Sequence, residues 1–253
     1  MSRYNHILLL ILLVFTVGLT QARSAEVLSR ADSLYHAGSY SEAIGLYQQV
    51  LKQPGADAGV YYNLGNAYYR TQQYPMALVC YERFIKAYPG DTDAQLNLRL
   101  TRSKLSIKEQ PRSDFFFVTW WNDFRESHSV TRLLLYAGII LLCCLLCFAG
   151  YLFLRRLLWR KICFSLSVVL FIVTLLLNVF AIQRSYLAAN TQYVVVMHDG
   201  VLQDNPVNNA KSLHKIHAGE KALVVETYQN TWLKIEMPDN PTGWIKSADC
   251  EVI

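Results

Sequence analysis

Residues 133–154 read LLLYAGIILLCCLLCFAGYLFL and residues 162–182 read ICFSLSVVLFIVTLLLNVFAI, and these two apolar segments decide the fold. Neither contains a charged residue, and each has about the 20 residues that an α-helix needs to cross a bilayer core. Backbone polar groups in lipid must be satisfied within the segment, so we predict two transmembrane helices. The alternative is a buried helical hairpin in a soluble protein, where uncharged segments of this length are rare.

The connector between the two segments, residues 155–161 (RRLLWRK), indicates their orientation. It has four basic residues and no acidic residue. Short loops rich in lysine and arginine remain in the cytoplasm. We therefore predict a cytoplasmic loop, with the regions before and after the hairpin in one compartment on the opposite side of the membrane.

The N-terminal residues 1–24 have the pattern of a secretory signal peptide. Arg3 and His6 precede an apolar stretch, Ile7–Leu19, and small residues at Ala22 and Ser24 offer a cleavage site. An uncleaved signal anchor is the alternative. Either one exports the segment that follows, which agrees with the orientation predicted from the connector.

Residues 25–108 repeat with a period of 34, which is the period of the tetratricopeptide repeat. We predict repeats at about 24–57 and 58–91, followed by a capping helix at 92–105 that covers the last apolar face. Small residues let the paired helices approach closely, and aromatic residues fill the space between them. The second repeat resembles the family pattern most closely, at Tyr61, Leu64, Gly65, Tyr68, Ala77, Tyr81 and Pro89.

Tetratricopeptide repeats bind peptide segments in a groove lined by the first helix of each repeat. By resemblance, the groove positions are Tyr62, Asn63, Asn66, Tyr69, Arg70, Asn97 and Lys104. Side-chain amides can pair with the backbone of an extended peptide, and Arg70 or Lys104 can bind a carboxylate. Asn97 follows Asn63 by one full period, so we expect the two amides side by side. The alternative is that these are ordinary solvated polar residues.

Residues 109–132 combine a polar linker with an aromatic segment. Phe115–Phe117, Trp120, Trp121 and Phe124 lie just before the first apolar segment. Such aromatic residues favour the headgroup region of a membrane. An interfacial anchor is the simpler interpretation, and a docking surface for another membrane protein is the alternative.

Residues 190–253 change to short apolar and β-branched stretches. We predict five or six strands, including 193–197, 221–228, 231–236, 242–246 and 250–253, and therefore a small β-barrel. The order of landmarks, with Trp232 followed by Gly243 and Trp244, resembles the bacterial SH3-like family. Trp232 and Trp244 are interpreted as core and rim residues rather than as a ligand-binding pair.

Composition and cysteine spacing exclude several classes of function. The net charge of +5 is concentrated around the membrane segments, so the soluble parts lack the basic patch that nucleic-acid binding needs. Four of the six cysteines lie in the apolar segments. The sequence does not decide whether Cys80 and Cys250 form a disulfide bridge. We find no metal-binding spacing, phosphate-binding loop or nucleophile motif, so we expect no cofactor and rank an enzyme last.

The complete order of signal peptide, tetratricopeptide repeats, two membrane spans and SH3-like domain resembles BatE-type proteins of the Bacteroides aerotolerance operon. The resemblance implies an inner-membrane protein whose soluble domains face the periplasm. It also implies partners with von Willebrand A domains, a MoxR-type ATPase nearby, and a role in tolerance of oxygen or oxidative stress.

Two hypotheses for function follow. The first is a non-enzymatic scaffold, in which the repeat groove and the SH3-like domain each bind a partner protein and membrane anchoring raises the effective concentration of each site. The second is a cell-wall sensor, whose SH3-like domain binds peptidoglycan and whose repeats signal to a membrane complex.

Overall fold

A computed structural model describes residues 24–105, 107, 130–208, 210–237 and 242–253. The signal peptide and the aromatic segment that we predict from the sequence therefore lie outside the described residues. The chain forms two compact units. One contains the repeat helices together with the C-terminal strands, and the other contains the two long apolar helices.

The repeat region is a series of antiparallel helices. The first, α1, is described over residues 24–36; it is followed by α2 (Tyr40–Leu51), α3 (Val60–Arg70), α4 (Tyr74–Ala87) and α5 (Thr92–Lys104). Asp91 caps α5, because its carboxylate accepts a hydrogen bond from the amide of Ala94 at 2.8 Å. Pro89 lies just beyond the end of α4.

Small residues allow the helices of each repeat to approach closely. Ala43 and Ala77 are fully buried at equivalent positions of α2 and α4. A Cβ atom on Gly65 would lie 2.9 Å from Cε1 of Tyr81, a distance that real Cβ atoms essentially never show. The turn after each first helix also repeats, since Gly38 (φ +83°) and Gln72 (φ +61°) both adopt the left-handed conformation.

The second unit is a pair of long helices, α6 (Val130–Phe153) and α7 (Leu157–Asn190). Each has a mean hydropathy of 2.6 over its most apolar window, so both are long and apolar enough to cross a membrane. The connector predicted as a loop is mostly helical, because α7 already begins at Leu157. α6 begins before its apolar segment and ends at Phe153, one residue short of the predicted end, whereas α7 extends beyond its segment at both ends.

Buried positions along α6 and α7 recur with a heptad spacing. Ala137 and Cys144 are buried on α6, and Ser167, Thr174 and Ala181 are buried on α7. A heptad spacing is typical of helices packed along one continuous seam. The Cys144 thiol donates to the Ser167 carbonyl at 3.2 Å across this seam.

Asn178 is the one amide side chain in the apolar segment 162–182, and it bonds within its own helix. Its amide donates to the carbonyl of Thr174 within α7, at 2.9 Å.

The described part of the C-terminal region forms one antiparallel sheet of seven strands. Its strands are β1 (Tyr193–Val196), β2 (Gly200–Gln203), β3 (Ser212–Ile216), β4 (Lys221–Tyr228), β5 (Trp232–Glu236), β6 (Gly243–Lys246) and β7 (Cys250–Val252). They pair in the order β3-β2-β6-β5-β4-β1-β7. The sequence analysis did not name β2 or β3 among its strands. For β3 the reason is that it is an edge strand with four of five residues exposed, so its sequence lacks the alternation of apolar residues that indicates a strand. The SH3-like barrel stays a prediction from resemblance.

The three residues of the SH3-like motif lie on neighbouring strands β5 and β6. Trp232 is buried, with 8% of its surface exposed. A Cβ atom on Gly243 would lie 2.7 Å from Cβ of Leu202, so only glycine allows this close approach of strands. Trp244 is half-buried and packs edge-on against Tyr228, with ring centroids 6.2 Å apart.

The sheet packs directly against the repeat helices. Val194 and Val196 of β1 lie in the core of the sheet, whereas Val195 is fully buried in the core of the repeats. Alternate residues of a strand face opposite sides, so both faces of β1 are covered. The sequence analysis treated the repeats and the C-terminal region as separate domains, and this contact was missed.

Ion pairs made by charged residues of α4 also stabilise the contact between the repeat helices and the sheet. Glu82, whose side chain is 11% exposed, pairs with Lys221 of β4 at 2.9 Å and with Arg102 of α5 at 2.7 Å. Arg83 pairs with Glu251 of β7 at 2.6 Å and also donates to the Val252 carbonyl. The outer face of α4 is therefore occupied by the sheet.

Candidate functional site: the groove of the repeat helices

A cavity of about 260 Å³ opens on the side of the repeats formed by their first helices. Three of the helices that line it, α1, α3 and α5, are the first helices of successive repeat units. The fourth, α4, is a second helix and contributes one residue. The lining residues are Tyr35, Asn66, Tyr69, Arg70, Tyr81, Asn97 and Leu100. Four of these, Asn66, Tyr69, Arg70 and Asn97, belong to the groove predicted from the sequence.

The wall of this groove contains a hydrogen-bond pattern that repeats with the sequence period. In the first repeat, Oδ1 of Asp32 accepts from the Tyr47 hydroxyl at 2.7 Å and from the Asn63 amide at 3.2 Å. In the second repeat, Oδ1 of Asn66 accepts from the Tyr81 hydroxyl at 2.8 Å and from the Asn97 amide at 3.1 Å. Each donor and acceptor thus has its counterpart one period later in the sequence.

This pattern changes the role of the two asparagines that we expected side by side. Asn63 bonds to α1, and Asn97 bonds to α3, so each links its own helix to the preceding first helix. Asn97 also donates to the Tyr62 hydroxyl at 3.3 Å. Replacing either with alanine would leave a part-buried acceptor with one bond fewer, so such a variant would report on stability as well as on ligand binding.

The remaining predicted groove residues divide between the wall and the rim. Tyr62 packs on Phe84, with ring centroids 5.3 Å apart, and so supports the wall. Arg70 is exposed and lies over the ring of Tyr40, with the guanidinium carbon 5.6 Å from the centroid. Lys104 is exposed at the end of α5 and does not line the cavity.

Three cavity residues were absent from the predicted set, and the repeat period would have identified two of them. Tyr35 precedes Tyr69 by one period, and Leu100 follows Asn66 by one period. Tyr81 was assigned only to the structural signature, since it belongs to a second helix. Its hydroxyl nevertheless reaches the groove through Asn66.

The tyrosine hydroxyls of the wall are held in their neutral, donating form. Burial, together with the neighbouring Asp32, raises the pKa of Tyr47 well above its usual value. Burial likewise raises the pKa of Tyr81. A neutral hydroxyl donates one hydrogen bond, so both residues stabilise their acceptors throughout the physiological pH range.

Cys80 and Cys250 are both free thiols, so the bridge that the sequence left open does not form in this structure. Cys80 belongs to the core of the repeats and Cys250 packs against the core of the sheet. Burial raises the pKa of each thiol to about 12. Both therefore remain protonated and poorly nucleophilic at neutral pH.

The groove offers aromatic surface, amide groups and an arginine at its edge. These groups are suited to hold an extended segment of another protein through apolar contacts, backbone hydrogen bonds and charge.

Comparison with known families agrees with the helical period. A family model described as TPR repeat matches residues 31–72, and one described as tetratricopeptide repeat matches residues 58–91. No curated protein matches the chain. Residues 31–91 therefore contain tetratricopeptide repeats, as the sequence period predicts.

Proposed function

We propose that this chain is a non-enzymatic, membrane-anchored scaffold that captures a segment of a partner protein in the groove of its repeats. The observation that carries the proposal is the division of the repeat surface. The sheet occupies the outer face of α4 through Glu82 and Arg83, whereas the groove on the other side keeps an accessible cavity.

The contact with the sheet supports this role in a second way. Val195 and the two ion-pair clusters fix the sheet to the repeats, so a partner bound in the groove meets a sheet in a defined position. Two sites held in one geometry reinforce each other, because binding at the first raises the effective concentration at the second. The SH3-like domain is the second contact in this proposal.

Anchoring follows from α6 and α7. Their length and hydropathy allow both to cross a bilayer, and the four basic residues between positions 155 and 161 favour a cytoplasmic connector. In the proposed orientation the repeats and the sheet face the periplasm, at the inner membrane of a Gram-negative bacterium.

The cellular setting is proposed from the order of domains. The resemblance to BatE-type proteins favours membrane partners with von Willebrand A domains and a role in aerotolerance or oxidative stress. The matched family supports protein partners in general.

A crosslinking pull-down from native membranes tests the proposal. The variant Tyr69→Ser/Leu100→Ser removes apolar surface from the groove, and Tyr228→Ser/Leu213→Ser removes a matching pair of partly exposed residues from the sheet. We expect a specific partner to be lost in the groove variant and retained in a smaller amount in the sheet variant, because the groove is the first contact and the sheet is the second.

The converse result would reject the groove as the binding surface. Loss of the partner only in the sheet variant would assign capture to the sheet. Recovery of cell-wall fragments without a protein partner would favour a peptidoglycan sensor over a scaffold.

A further inference from the structure

The ends of the three first helices form a row of basic side chains along one edge of the groove. His36 ends α1, Arg70 ends α3 and Lys104 ends α5, and successive positions are separated by exactly the repeat period in the sequence. All three side chains are exposed. Among the described residues, neither Arg70 nor Lys104 has a carboxylate within ion-pair distance.

Apolar side chains line the cavity beside this basic row. Tyr35 precedes His36, Tyr69 precedes Arg70, and Leu100 lies one helical turn before Lys104. These three apolar residues line the cavity, and Leu100 is 46% exposed. Tyr35 and Tyr69 occupy equivalent positions, whereas Leu100 is equivalent to Asn66, so the apolar side chains lie inside the groove and the basic row borders it.

Among the described residues, none of those that line the cavity is acidic. The acid on the wall of the groove, Asp32, accepts hydrogen bonds from Tyr47 and Asn63 through Oδ1 and lies in the first repeat. At the equivalent position of the second repeat the residue is Asn66, which is uncharged. The part of the groove between α3 and α5 therefore has a net positive edge.

We infer that the groove selects an extended peptide segment with acidic side chains on one edge and aliphatic side chains on the other. Successive residues of an extended chain point to opposite sides, so alternating acidic and aliphatic residues would meet the basic row on one side and the apolar cavity on the other. The inference rests on the proposed function, and it specifies the chemistry of the captured segment. Guanidinium and ammonium groups form their strongest hydrogen bonds with carboxylates.

Basic residues at helix ends also have a simpler explanation, since cations near a C-terminus interact favourably with the helix dipole. Lys52 provides the control for that effect. It is exposed at the C-terminal cap of α2, on a second helix that does not line the cavity. A charge reversal at Lys52 changes the net charge and removes a cation from the end of a helix, as a single reversal at Arg70 or Lys104 does.

The experiment measures peptide binding to the full chain in phosphatidylcholine nanodiscs, with empty nanodiscs as the blank. Three fluorescent eight-residue peptides are compared, with alternating Glu and Leu, alternating Lys and Leu, and alternating Glu and Ser. Such a peptide extends about 26 Å, enough to cross three helices spaced about 10 Å apart. We expect the Glu/Leu peptide to bind about tenfold more tightly than either of the others.

Charge reversal then assigns the site. Each single reversal, Arg70→Glu or Lys104→Glu, is expected to lower binding of the Glu/Leu peptide several-fold and the two together about tenfold or more, whereas Lys52→Glu, which changes the net charge as much as either single reversal, leaves it unchanged. Equal binding of the Lys/Leu or the Glu/Ser peptide, absence of binding to all three, or an effect of Lys52→Glu equal to that of the single groove reversals would overturn the inference. If the pull-down still loses its partner only with the groove variant, the scaffold proposal stands and only the acidic class of ligand is wrong.

Discussion

Replacing Gly65 with leucine is expected to unfold the repeat helices. A Cβ at this position would already lie 2.9 Å from Cε1 and 3.0 Å from Cδ1 of Tyr81, a side chain that is 1% exposed and cannot move aside. Overpacking of a closed core typically costs about 1–3 kcal/mol, and leucine adds three further carbon atoms at the tightest point. We expect a loss of at least about 3 kcal/mol of stability, measured as helicity and thermal midpoint by circular dichroism.

Gly45 of α2 provides the matched control. It is also helical, but a Cβ there would meet no atom of the described residues within 4 Å. The substitution Gly45→Leu should therefore be neutral or stabilising by up to about 1 kcal/mol, because leucine favours a helix over glycine. Equal thermal midpoints for the two variants would contradict the close approach of α3 and α4.

The second large effect is expected for Val195→Asp. Val195 belongs to the sheet, yet its side chain is fully buried in the core of the repeats. Lys221 and Glu251 lie opposite Val195 on the neighbouring strands and are already paired with Glu82 and Arg83. A new carboxylate would therefore disrupt one of these ion pairs or stay uncompensated, and an uncompensated buried charge costs about 3–5 kcal/mol. We expect faster amide hydrogen exchange in α4 as well as in β1, because the sheet separates from the repeats.

Val201 of β2 is the control for a charge on the same sheet, since it is 38% exposed. The substitution Val201→Asp should leave exchange in α4 unchanged. If Val195→Asp accelerates exchange in the sheet alone, then the repeats and the sheet are independent and the fixed geometry proposed for the scaffold is wrong.

Much of the fold was predictable because it follows from periodicity. The regular sequence period predicted the repeats, and two uncharged apolar segments predicted α6 and α7. The same period also predicts a backbone conformation that the residue type alone does not indicate. Gln72 adopts the left-handed conformation of Gly38, although glutamine gives no sign of such a turn.

The contact between the repeats and the sheet was not predictable by the same reasoning. The contact depends on the side of β1 that faces the repeats. The residues of β1 that face the core of the sheet already explain why the strand is apolar. The continuous apolar stretch Val194–Val196 was the available signal, because a strand buried on both faces does not alternate. The partners Glu82 and Arg83 resemble ordinary solvated charges until the fold brings Lys221 and Glu251 to them.

The candidate groove was predictable in position but less so in chemistry. Resemblance to the repeat family identified Asn66, Tyr69, Arg70 and Asn97, all of which line the cavity. It did not indicate that Asn63 and Asn97 are engaged in hydrogen bonds between helices. Which polar residues remain available depends on three-dimensional partners that a single sequence does not specify.

Site-specific photo-crosslinking in native membranes tests the central claim most directly. A photoreactive phenylalanine analogue at Leu100 lies in the groove, and the same analogue at Val225, which is 52% exposed, lies on the sheet. If the groove is the capture surface, a discrete adduct with a membrane protein forms from position 100, and Arg70→Glu/Lys104→Glu diminishes it. A partner adduct from position 225 with none from position 100 would contradict the claim.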